Sequence, residues 1–178
     1  MTPFFHTADQ LAVLQRTARA WLGTPFRAHL AVPGVGVDCV QLCAAIYQRL
    51  GVIDSFTPPP YQVTAGPHRE TSQVEAFLAA MPERFQKVGT HGSRVRSQEE
   101  NGRSSVASPP QLSPGDLLCF HVGRVTHHCG VLIRRMNFIH AIHHCGVVES
   151  TLADSNWLKR LRGAYRPLCR HSDLVIRH

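Results

Sequence analysis

The sequence of 178 residues is short of acid, with 12 Asp and Glu against 19 Lys and Arg, for a net charge of +7. A positive balance suits polyanions such as nucleic acid, an anionic membrane or an anionic wall. The basic residues are scattered, however, and cluster only briefly, as at Lys159-Arg160-Leu161-Arg162. With no nucleic-acid motif present either, nucleic acid is not an expected partner. Nor is there an apolar run approaching the ~20 residues needed to span a bilayer, so no membrane is expected. The start, Met1-Thr2-Pro3-Phe4-Phe5-His6, lacks a basic segment followed by an apolar one. Synthesis in the cytoplasm without a secretory signal is therefore expected. No internal repeat is visible.

What is present is apolar content of 43%, enough for a single domain over residues 1–178 with a core of its own. Six cysteines invite a disulfide framework, but a chain of this size and composition does not need one. They read as free thiols, most of them small buried apolar residues. The histidines are distributed differently. Of the 12, His121, His127, His128, His140, His143 and His144 fall in one short stretch, beside Cys119, Cys129 and Cys145.

Leu11, Leu14, Ala18 and Leu22 have helical spacing over Ala8 to Leu22, stopped by Gly23-Thr24-Pro25. A second helix opens at Asp38, with Cys39, Leu42, Cys43, Ile46, Tyr47 and Leu50 as its apolar stripe and Gly51 at its end. Ser72 to Met81 reads as a short helix capped by Ser72, with Glu75 three positions on. Residues 90–113 are rich in Gly, Ser, Arg, Glu and Pro. They bury too little to offset their ordering entropy, and a mobile surface loop is expected. Strands follow at Leu117–Phe120, His127–Ile133, Asn137–Ile142, Cys145–Glu149 and Ala164–Leu168. Helices first and a meander of strands afterwards predict an α+β fold with an antiparallel sheet.

Cys39 stands at the first turn of the second helix, where exposed N–H groups and the positive end of the helix dipole should lower a thiol pKa. Cys43, one turn on, lies on the buried stripe and reads as inert packing. A thiolate nucleophile needs a general base and a group to orient it. His128 and His140 are candidates, because their strands are adjacent and their numbers share parity. An odd-numbered turn such as Ile133-Arg134-Arg135 puts both side chains on one face, whereas a two-residue turn separates them. The same stretch also permits a zinc site from His140, His143, His144 and Cys145 with His127 or His128, although no regular zinc-module spacing is present.

Four segments together resemble the NlpC-type papain-like cysteine peptidases. They are Trp21-Leu22-Gly23-Thr24-Pro25-Phe26 with Gly36-Val37-Asp38-Cys39, then Pro114-Gly115-Asp116-Leu117-Leu118-Cys119-Phe120, His128-Cys129-Gly130-Val131 and Phe138-Ile139-His140-Ala141. The long spacer from Thr24 to Cys39 is most similar to the branch found in phage tails and gene-transfer agents. The resemblance implies a papain-like fold, with N-terminal helices packed on a C-terminal antiparallel sheet. It implies Cys39 as nucleophile, His128 as base and His140 as orienting group. Asp38, Phe26 and Gln41 fall at substrate-binding positions; Phe26 replaces a tyrosine that assists the oxyanion hole, and Val40-Gln41 replaces Ser-Gly.

What the resemblance implies in function is a cysteine peptidase or amidase acting on bacterial cell-wall (murein) peptides, with no metal or other cofactor. Phage-tail or secretion-machinery proteins are the partners it adds, and delivery to the wall by a phage-like or other non-Sec route. Two alternatives stand beside it. Phe26 and Gln41 favour a non-catalytic tail-assembly or wall-binding component, and the same Cys-His pair could serve an acyltransferase.

Overall fold

The computed structural model describes residues 2–63, 72–88, 111–122 and 125–169. The loop expected at residues 90–113 lies outside the described residues up to position 110. Helix α1 (Ala8–Arg19) begins in a capping box: the Thr7 hydroxyl accepts from the Gln10 N–H, and the Gln10 side chain accepts from the Thr7 N–H. It ends earlier than its periodicity predicts, because Trp21 and Leu22 close tight turns on Ala18 and Arg19 before Gly23 turns left-handed. A two-stranded hairpin, β1 (Ala31–Val32) with β2 (Gly36–Val37), leads into helix α2 (Cys39–Arg49). Helix α3 (Gln73–Ala79) starts where expected, with Ser72 accepting from the Glu75 N–H at 3.1 Å.

Six antiparallel strands form the sheet: β3 (Phe85–Val88), β4 (Leu117–Val122), β5 (Val125–Leu132), β6 (Asn137–Ile142), β7 (Gly146–Thr151) and β8 (Leu161–Pro167). Their spatial order is β3-β8-β4-β5-β6-β7. The last helix, α4 (Ser155–Arg160), precedes β8. The α+β architecture, helices first and antiparallel sheet after, is the one the sequence predicts. Strand β3 and helix α4 are additions, both too short to show a period.

Strand alternation divides the core in two. Leu117, Cys119, Cys129, Val131, Ile139 and Ala141 pack with Leu42, Cys43, Ile46 and Tyr47 of α2. Leu118, Phe120, Leu132, Phe138, Leu161 and Ala164 face the other way, beneath Trp157 of α4. Each large apolar side chain buried in this way stabilises the fold by roughly 1.5–3 kcal/mol.

The Pro114-Gly115-Asp116 segment is a structural corner. The Tyr47 hydroxyl donates to the Gly115 carbonyl at 2.9 Å. The buried Asp116 carboxylate accepts from Arg166 through two bonds of 2.9 Å and from the Ser113 N–H at 2.8 Å. Gly115 has φ +97° and abuts the Phe5 ring, so a side chain there would meet both a conformational and a steric penalty. No helix among the described residues is long and apolar enough to cross a membrane.

Candidate active site

Cys39 is the first residue of α2, and Asp38 is its N-cap. One Asp38 oxygen accepts from the N–H groups of Val40 and Gln41, both at 3.0 Å. The other accepts from the His29 N–H and the Tyr61 hydroxyl, both at 2.6 Å. Asp38 is 0% exposed. Four hydrogen bonds explain how a carboxylate tolerates that burial. The residue expected to contact substrate is thus committed to holding the helix start, and it ties the Tyr61 segment to Cys39.

His128 comes from β5 and His140 from β6. The register Val131↔Ile139 and Leu132↔Phe138, extended by the Ile133 N–H donating to the Asn137 carbonyl at 2.8 Å, leaves a three-residue turn, Arg134-Arg135-Met136. That is an odd number, one position later than the example the sequence suggested, and both imidazoles lie on one face. His128 Nε2 is 2.7 Å from His140 Nδ1. His140 Nε2 is in turn 2.9 Å from Ser150 Oγ on β7. A bulge contributes as well: Phe120 pairs with His128 and His121 with Thr126, so β5 carries one extra residue at His127. Bulges re-aim side chains in this manner.

Because His128 spends Nε2 on His140, Nδ1 remains for sulfur. The Cys39 thiol has His128 and the Cys129 thiol as neighbours, and both act on its pKa. These neighbours correct one expectation. The Cys39 pKa is not lowered; the Cys129 thiol comes first in holding it well above a free thiol, and burial comes next. His128 opposes both, without prevailing. A neighbouring thiol and the loss of solvent outweigh the helix start.

His140 is 0% exposed, and burial is the first cause of a pKa near 2, with the neighbouring His128 adding to it. It is neutral at all ordinary pH. Trp157 walls the pair, its ring centroid 4.6 Å from that of His140 and 5.8 Å from that of His128. The indole meets the buried His140 ring edge-on, and Phe138 lies against it as well, 4.7 Å between centroids.

Residues 20–166 match the model of the NlpC/P60 family. The chain belongs to the NlpC/P60 family. A 73-residue stretch is 37% identical to the murein DD-endopeptidase MepS/murein LD-carboxypeptidase of Escherichia coli K12. That match covers 41% of this chain and 38% of the relative, so less than half of the relative's length is represented. Among solved structures, an NLP/P60-family protein described as similar to lipoprotein, from Staphylococcus aureus Mu50, superimposes with a TM-score of 0.57 at 19% identity. It covers 96% of this chain and 45% of that one. The NlpC/p60 domain of the peptidoglycan hydrolase SagA gives 0.48 at 18% identity, covering 86% and 96%.

Within this family member, Phe26 is half-buried beside Val37, and its ring lies edge-on to His143 at 5.3 Å. The Gln41 N–H, like that of Val40, donates to Asp38. His143 and His144 lie in the β6–β7 turn with their rings edge-to-face, centroids 3.9 Å apart. Among the described residues, no three of His, Cys, Asp and Glu are grouped to hold a metal ion. Four residues at the site went unread in the sequence: Tyr61, Cys129, Ser150 and Trp157. Only Cys129 carried a signal, standing inside the His128-Cys129-Gly130 motif.

Proposed function

We propose that this chain is a cysteine peptidase or amidase that hydrolyses amide bonds in bacterial cell-wall (murein) peptides. The observation that carries the reading is the line Cys39–His128–His140–Ser150, assembled in a chain of this family. At rest the raised Cys39 pKa keeps the proton on sulfur, so activation is general-base: His128 Nδ1 takes the proton as sulfur attacks the carbonyl carbon. Both nitrogens of His128 are then donors. His140 Nδ1 must accept, and its Nε2–H passes to Ser150 Oγ. His140 therefore stabilises the imidazolium without itself being charged.

The Cys39 backbone N–H, at the first position of α2, donates to the developing oxyanion; Phe26 has no hydroxyl to add. His128 then protonates the leaving amine, and a thioester to Cys39 remains. The neutral imidazole next takes a proton from water. The hydroxide adds to the thioester carbonyl, and the Cys39 thiolate leaves. A murein substrate is supported by the murein peptidase relative, and a chain of +7 suits an anionic wall.

The test is digestion of purified murein stem peptides, read by mass. Cleavage at one amide is the expected result. Peptides bound by the protein yet left intact would favour the non-catalytic wall-binding alternative.

A further inference from the structure

Three thiols converge on the N-terminal half of α2, and the hydrolytic reading uses only one of them. Cys129 projects from β5 toward the helix. Its Sγ is 3.3 Å from the Cys39 carbonyl oxygen and 3.7 Å from Cys43 Sγ. The first of these distances sets the Cys129 sulfur beside the first residue of α2, and the Cys39 thiol is among the groups acting on it. We propose that Cys129 is a resolving thiol for Cys39, so that a hydroperoxide converts the pair into a reversible disulfide that switches the site off. The proposal rests on the reading of Cys39 as the reactive thiol.

The chemistry balances with one peroxide. The Cys39 proton passes to His128, and sulfur attacks the outer peroxide oxygen. The O–O bond breaks; sulfur is oxidised to a sulfenic acid, and the peroxide is reduced to an alcohol or water. The Cys129 sulfur then attacks the Cys39 sulfur. An S–S bond forms, the S–O bond breaks, and oxygen leaves as water with the proton Cys129 gives up. A dithiol reductant restores both thiols. Without a resolving thiol, a second peroxide carries the sulfenic acid on to the sulfinic acid, which a dithiol does not reverse.

One feature of the fold favours this outcome. Cys129 lies beyond the paired part of β5 and β6, whose last rung on its side is Val131↔Ile139. On that side its backbone has no ladder to break as its sulfur closes the remaining distance.

The test treats the full chain with hydrogen peroxide, blocks the remaining thiols and maps unreduced peptides by mass. The expected result is a Cys39–Cys129 link lacking two hydrogens, with hydrolysis lost and then restored by dithiothreitol. In Cys129→Ser, peroxide should take Cys39 to the sulfinic acid, and dithiothreitol should restore nothing. Sulfinic acid at Cys39 of the unaltered chain with no link would overturn the proposal. So would a link from Cys129 to Cys43 or Cys119 with Cys39 free. The link is read by mass, so it is decided even if Cys129→Ser does not fold. Hydrolysis that survives Cys39→Ala would remove the catalytic reading instead, a separate and distinguishable failure.

Discussion

His128 Nε2 and His140 Nδ1 meet at 2.7 Å although the pairing of their two strands stops short of both residues. Where β5 and β6 part, the hydrogen bond between the rings takes over from the backbone ladder. Gly130 makes this approach possible: a Cβ there would press on the Ile139 carbonyl oxygen and the His140 side chain. The orientation of the base is therefore set by a side chain, and it should respond sharply to changes in that side chain.

His140→Asn places an amide near the position of Nδ1 and should keep hydrolysis within about tenfold of the original. His140→Ala removes the partner of His128 and should cost about 10²–10³-fold in kcat, within the range typical of a positioned acid–base group. Steady-state kinetics on a murein stem peptide checks both. Equal losses from the two substitutions would show that the hydrogen bond does not orient the base.

The buried neutral His140 also predicts a stability profile. Its folded pKa is near 2, against about 6.5 for an unfolded histidine. Below pH 6.5 the unfolded chain binds a proton that the native site refuses, so this contribution to stability is present above 6.5 and is lost as pH falls. The slope from one such group approaches about 1.4 kcal/mol per pH unit. Denaturant unfolding between pH 7 and pH 4 should show His140→Asn losing less stability with acid than the original chain.

Much of this site was legible in the sequence. The apolar stripe starting at Cys39 fixed the nucleophile candidate at a helix start, with Asp38 as its cap. The shared parity of 128 and 140 allowed the two histidines one face, and the odd turn satisfied the condition. Other parts left no pattern to read. Tyr61 follows Pro58-Pro59-Pro60 in extended chain, where no periodicity says which way a side chain points. Trp157 sits in a six-residue helix, too short for a stripe. Ser150 becomes a partner of His140 only through the β6–β7 register, in which His140 pairs with Val148. The pKa of Cys39 depends on Cys129, 90 positions away, and a buried cysteine in sequence looks like any small apolar residue.

That long-range contact carries a prediction. The Cys129 thiol is the first cause of the raised Cys39 pKa, so Cys129→Ala should lower it. Thiolate then persists to lower pH. Iodoacetamide should alkylate Cys39 faster at neutral pH, and the acid limb of kcat/KM should move downward. Peptide mapping across a pH series reads the first effect, with Cys43 as the slow internal reference. An upward shift would show that Cys129 supports the thiolate instead.

Tyr61→Phe removes one of four hydrogen bonds to the buried Asp38 carboxylate and leaves its shape in place. A bond to a charged group of this kind contributes about 1.5–3 kcal/mol, and a loss of that size should appear in denaturant unfolding. A change below about 0.5 kcal/mol would mean that solvent reaches Asp38 once the hydroxyl is gone.

The central claim is that Cys39 attacks the amide carbon, and the acyl intermediate reports on it directly. A murein stem peptide mixed with excess protein, quenched in acid during turnover and mapped by mass, should show the acyl fragment attached to the peptide containing Cys39. The adduct should form in the presence of a metal chelator and vanish in Cys39→Ala together with hydrolysis. An adduct on another residue, or hydrolysis that continues in Cys39→Ala with nothing attached, would contradict the account.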